Sequence, residues 1–194
     1  YTPSKQGLRE DTWNTLRKTI ENFEHTPKEA IIQWVEDYCE LNTYEISIPG
    51  LRDPSLVPTN KTGLIVSILF DYDLTMKVQE AGWYEELKTI IENCIISVLT
   101  NSIYPNIKDK ILFQFSSTPI SISNRVGSSE GAITGWSFEE PVPVVQGILN
   151  IFKSVKNPIP NVQQAGQWVY SPSGVPIAIL TGLVAAKNLM KDKK

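Results

Sequence analysis

The chain has 194 residues, 41% of them hydrophobic, with five Trp, six Phe and seven Tyr, which excludes a disordered chain and suffices for one sizeable core. Lys and Arg number 18 against 21 Asp and Glu, and a net charge of -3 leaves no electrostatic footprint for nucleic acid. No two of the 11 glycines lie closer than four positions, so a self-contained dinucleotide fingerprint and a Walker A loop are both excluded.

Residues 11–24 carry Trp13, Leu16, Ile20 and Phe23 at spacings of three and four, the stripe of a helix. A second helix is predicted over 27–40, with Thr26 as its cap, Pro27 in its first turn, and Ile31, Trp34, Val35 and Tyr38 on its apolar face. Residues 1–42 thus read as a helical lobe. His25 is the single histidine, which leaves no imidazole-built metal site. Cys39 and Cys94 stand 55 positions apart in apolar helical patterns and read as separate, buried, reduced thiols.

From Thr43 the texture changes. Residues 43–48 alternate with period two and predict a half-buried strand ending at Pro49-Gly50, followed by an ordered loop over 50–61. Residues 63–70 are nearly all apolar and predict a central strand. A helix over 83–99 points Leu87, Ile90, Ile91, Cys94, Ile95 and Val98 inward, and residues 110–116 predict a third strand. This order gives an α+β layer with the helix on one sheet face. Asp71, Asp73, Glu130, Glu139 and Glu140 stand apart from the histidine and read as solvated carboxylates rather than acid–base catalysts.

Thr118-Pro119 opens a short helix, and Gly127, Gly131 and Gly135 then space a loop that permits either close approach to a ligand or simple turns. Trp136 and Phe138 follow. Residues 141–160 hold four prolines and read as an irregular connector. A short strand is expected over 162–170, a tight turn over 171–174, and a helix over 175–190 with Pro176 in its first turn. Ala178, Gly182, Ala185 and Ala186 are assigned to one small-residue face of that helix. Its first turn offers free N–H groups and no basic side chain, which suits a ring carbonyl better than a phosphate. The competing reading is an ordinary terminal helix packed on a sheet. The near-apolar stretch 175–186 is 12 residues, short of a membrane span, and the expected location is the cytoplasm, with peripheral membrane contact left open.

Several segments, in this order, resemble one family: Ile48-Pro49-Gly50-Leu51-Arg52-Asp53-Pro54-Ser55-Leu56-Val57-Pro58, Lys61-Thr62-Gly63-Leu64, Thr118-Pro119, Gly127, Gly131-Ala132-Ile133-Thr134-Gly135-Trp136, Ala165-Gly166-Gln167-Trp168, Gly174-Val175-Pro176 and residues 182–186. Residues 44–190 are similar to the C-terminal half of phytoene dehydrogenase-like flavoproteins, which include carotenoid desaturases and isomerases and retinol saturases. The resemblance implies an FAD-dependent oxidoreductase of the glutathione-reductase-like two-domain class, acting on an apolar, polyene or isoprenoid substrate. Residues 43–160 would be a portion of the substrate-binding domain, with a mixed or antiparallel sheet and packed helices, and 161–194 the strand and helix returning to the FAD domain. The N-terminal Rossmann unit would lie outside this chain. The chain is accordingly expected to be a C-terminal fragment, partnered by its FAD-binding half and by itself inactive and weak in FAD binding.

By the same resemblance, Gly166 and Gln167 would sit at the last cofactor-contacting strand end. Many relatives carry an acidic residue beside the flavin's ribityl chain where this chain has Gln167, whose amide hydrogen-bonds without charge. Gly174, Val175 and Pro176 would form the turn and helix start under the isoalloxazine, with free N–H groups facing its N1 and O2 atoms. Trp136, Phe138 and Tyr170 are the candidates for an apolar channel wall, although core packing explains each equally well. No catalytic side chain and no metal are expected, because the cofactor carries the redox step. The alternative is a non-catalytic α+β module that binds a lipid or a protein partner.

Overall fold

A computed structural model describes residues 1–136 and 144–191. The chain divides into two compact units, Tyr1–Gly131 and Ala132–Lys194. Neither expected boundary, after residue 42 or after residue 160, coincides with that divide.

The first unit begins with helices α1 (Glu10–Glu21) and α2 (Lys28–Leu41). Pro27 is itself the cap residue of α2, while the Thr26 hydroxyl donates to the Asn22 carbonyl at 3.0 Å, so Thr26 closes the preceding turn instead of capping. Strand β1 (Glu45–Ser47) precedes the one-turn helix α3 (Pro49–Arg52) and a 3-10 turn at Pro54–Leu56, so part of the expected loop is helical. Strand β2 (Ile65–Ser67) pairs antiparallel with β1, Ile46 opposite Val66. Helices α4 (Tyr72–Glu80), α5 (Tyr84–Thr100) and α6 (Pro119–Val126) follow. The Thr118–Ser121 capping box opens α6 and left-handed Gly127 closes it, as the Thr-Pro and Gly signals predict.

The expected central strand pairs only over its middle three residues, and Ile65 and Leu69 are 54% and 80% exposed. The expected third strand does not form: a 3-10 turn at Lys108–Lys110 leads into chain without a ladder, with Phe113 and Phe115 each 80% exposed. A strand needs a neighbour, which a local pattern of apolar residues does not supply. Asp71 is not a solvated carboxylate but the cap of α4, accepting from the Leu74 N–H at 2.8 Å. Burial raises its pKa, and that hydrogen bond opposes the rise.

The core joins α1, α2, α4 and α5 through Leu16, Ile31, Val35, Tyr38, Leu74 and Leu87, so residues 1–42 are not a separate lobe. Their apolar stripes have their complement in the stripes of α4 and α5. Tyr38 stacks on Trp34 at 4.8 Å and meets the ring edges of Trp13 at 5.6 Å and Phe70 at 5.9 Å. Its hydroxyl donates to the Leu69 carbonyl at 2.7 Å, and burial pushes its pKa up to about 12. After α6, Gly131 is left-handed (φ +67), and an added Cβ would overlap the Pro119 backbone. Here the glycine permits a close approach within the chain.

The second unit contains β3 (Val145–Gln146), α7 (Ile151–Ser154), β4 (Tyr170–Ser171) and α8 (Val175–Lys191). Strands β3 and β4 pair in parallel. The expected connector therefore holds a strand and a helical turn, and the expected strand over 162–170 reduces to β4 and one bridge between Lys156 and Gln163. Side-chain bonds replace the ladder there: Gln164 Nε2 donates to the Ser154 carbonyl at 2.7 Å. The core of this unit is small, built on Val155, Val184 and Ala185. Among the described residues the fold is a mixed α/β arrangement of eight helices and two two-stranded sheets, and no helix is long and apolar enough to cross a membrane.

Candidate functional site

The described residues among those singled out by the sequence lie in the second unit, around the start of α8. Gly166 has φ +120, and its N–H donates to the Thr181 hydroxyl oxygen at 3.0 Å. Thr181 is fully buried, and its hydroxyl in turn donates to the Ile177 carbonyl at 2.8 Å. One side chain thus fastens the Gly166 backbone to the first turns of α8. Gln167 Nε2 donates to the Ile133 carbonyl at 3.1 Å, and Trp136 Nε1 to the Trp168 carbonyl at 2.9 Å. The Trp136 and Trp168 rings meet edge to face, 5.5 Å apart at 79°. Left-handed Gly135 (φ +68) lies so close to Ser173 that a Cβ would overlap its side chain.

The helix start follows from its residues. The Gly174 carbonyl accepts from the Ala178 N–H at 3.0 Å, which makes Gly174 the residue before the first helical position. Val175 and Ile177 then present N–H groups ahead of the helical ladder, and Pro176 between them has none to satisfy. Val175 is 73% exposed. Gly174 has φ +116, and among the described residues a Cβ there would meet only Pro176 Cδ, at 3.9 Å. Among the described residues the turn is therefore sterically open, and its charge is the partial positive end of a helix dipole with no charged side chain in the first turn.

Thr181 links Gly166 to the helix that Val175 and Pro176 begin, while Gln167 and Trp136 hold the flanking loop. Tyr170, by contrast, is 3% exposed within β4 and offers no accessible wall. Phe138, with Glu139 and Glu140, lies outside the described residues. The small-residue face is also different from the one expected: Ala185 is buried beside Thr181 and Val184, while Ala186 is exposed. Thr181, Ser173 and Trp168 are not among the site residues expected from the sequence. The signal for Thr181 was its hydroxyl, alone among apolar residues on a helix. Among the described residues no cluster of His, Cys, Asp or Glu could hold a metal ion.

The curated proteins include a similar sequence, all-trans-retinol 13,14-reductase from Danio rerio, 27% identical over 173 residues. The chain is a distant relative of a retinol reductase. The similarity covers 80% of this chain, and the chain spans 28% of that protein's length. No family model matches the sequence, and no solved structure matches it.

Proposed function

We propose that this chain is the C-terminal portion of an FAD-dependent, retinol-saturase-like oxidoreductase acting on an apolar isoprenoid substrate. The similarity to a retinol reductase over 80% of the chain carries this reading. The geometry at the start of α8 supports it. Gly166, Gln167, Gly174, Val175 and Pro176 are the residues that would hold the flavin, and the open face of Gly174 fits a flat ring. A bound flavin supplies the hydride or electron transfer. The Val175 and Ile177 N–H groups would stabilise an electron-rich ring oxygen, acting from the positive end of a 17-residue helix. Gln167, with Nε2 engaged by Ile133, keeps its amide oxygen to accept from a hydroxyl. Trp136, 41% exposed, offers an apolar surface for a substrate.

The test is to purify the full reading frame that contains this chain and measure released FAD by fluorescence and conversion of all-trans-retinol by chromatography. Stoichiometric FAD is expected, whereas residues 1–194 alone should bind it weakly. A flavin-free full-length protein overturns the proposal. Gly174→Val should strain the backbone by ~1–2 kcal/mol with or without FAD, and should also lower flavin occupancy. Equal loss of melting temperature in both forms, with FAD affinity unchanged, would reduce Gly174 to a turn glycine.

A further inference from the structure

The fold of the first unit places its two cysteines at the same packed core, although 55 positions separate them in sequence. Cys39, on α2, is fully buried beside Val35 and Tyr38, and Cys94, on α5, is half-buried and packs against the same cluster. Helices α2 and α5 lie against each other, and both thiols are free. In packed helices the axes run ~8–10 Å apart and each Cα stands ~2.3 Å from its axis, so facing residues at a crossing have Cα atoms roughly 3.4–5.4 Å apart. That overlaps the ~4.4–6.8 Å a disulfide spans.

The two thiols are unequal. Contact with Cys39 lowers the pKa of Cys94, against burial and the negative charges of Glu36 and Glu40. Cys39 is pushed up, first by the Cys94 thiol and then by burial. Cys94, the less buried of the two, is the thiol that ionises more readily, because burial penalises a thiolate and a second charge beside it is unfavourable. A partly accessible thiol backed by a fully buried one is the arrangement of an attacking and a resolving cysteine.

We propose that Cys39 and Cys94 form a redox-active dithiol that a hydroperoxide converts into an intramolecular disulfide joining α2 to α5. The Cys94 thiolate attacks the terminal peroxide oxygen. The S–O bond forms, the O–O bond breaks, and the departing alkoxide takes a proton and leaves as an alcohol, or as water from hydrogen peroxide. Cys39 Sγ then attacks the Cys94 sulfenic sulfur. The S–S bond forms, the S–O bond breaks, and the hydroxide leaves as water with the Cys39 proton. The two thiols lose two electrons in total, and the peroxide gains them. This inference is independent of the flavin reading.

The experiment treats the fully reduced chain with equimolar hydrogen peroxide, blocks remaining thiols with iodoacetamide, and maps tryptic peptides without reductant. The expected product is a Cys39–Cys94 cross-linked peptide, with loss of two hydrogens from the intact monomer and reversal by dithiothreitol. Cys39→Ser should instead leave a Cys94 sulfenic acid that dimedone traps, and Cys94→Ser should leave Cys39 alkylatable only after unfolding. Recovery of both wild-type cysteines as alkylated thiols would overturn the proposal. So would cross-linking between chains, or oxidation of Cys94 to the sulfinic acid with Cys39 still a thiol. The wild-type map decides the matter even where a variant fails to fold.

Discussion

Helices α5 and α8 have the same length, 17 residues, and opposite situations. In α5, Glu85, Glu86 and Glu92 alternate with an apolar stripe that buries Leu87, Ile91 and Leu99. In α8 there is no acidic residue at all, yet Val175, Ile179 and Met190 are 73%, 68% and 71% exposed, and its buried positions are Thr181, Val184 and Ala185. A helix's composition therefore states how much apolar surface it carries, while burial depends on which stripes its neighbours present. The first unit meets α5 with the aromatic and aliphatic faces of α1, α2 and α4. The second unit, with its three-residue core, is held by hydrogen bonds from Thr181, Gln164 and Trp136.

The same substitution in the two helices tests the contrast most strongly. Leu87→Ala, at a fully buried position, should cost ~2–5 kcal/mol in urea unfolding, as cavity-forming changes do. Leu183→Ala, at a position 50% exposed, should stay within about 0.5 kcal/mol. Equal costs would break the comparison and mean that α8 is covered in solution. Thr181→Val sharpens it, because it keeps the volume but leaves the Gly166 N–H without its acceptor. The expected loss is ~1–3 kcal/mol, with faster hydrogen exchange at Gly166 than in wild type.

The smallest expected effect concerns Asp71 in the first unit. Its folded pKa is raised above the ordinary 3.8, chiefly by burial. The carboxyl's contribution to stability is therefore complete below 3.8 and is lost as pH rises through the raised value. Asp71→Asn retains an oxygen for the Leu74 N–H and has no charge to bury. Its stability relative to wild type should improve across that window and then level off in a pH series of urea melts. A flat difference would show that Asp71 is solvated when folded.

Most of the long helices were legible in the sequence, while of the expected strands only the one over 43–48 forms much as read, for a physical reason. The stripes of α1, α2 and α5 are periodic within one segment, and the Thr118 and Gly127 signals of α6 are local side-chain and backbone chemistry. Residues 63–70 and 110–116 have strand composition, but pairing is decided by distant backbone, and only Ile65–Ser67 finds a partner. The α4 helix was hidden because Asp71 was read for its charge and not as an acceptor for Leu74. At the candidate site, the turn glycines and the Pro176 helix start were visible one residue at a time. Thr181, which fastens Gly166 to the helix, becomes evident only when two segments meet.

The aromatic arrangement around Tyr38 has an optical consequence. Trp34 is held 25° from the Tyr38 plane, and the Trp13 and Phe70 rings stand nearly perpendicular to it. Chromophores fixed in one handed geometry give near-ultraviolet circular dichroism that vanishes when packing loosens, even if helices persist. Because the Tyr38 phenol keeps its proton to about 12, its absorption does not drift across the pH range of ordinary measurements. Cys39 is the next residue along α2. The first unit therefore contains an unlabelled spectroscopic gauge, one residue away from the sulfur at which a disulfide would register.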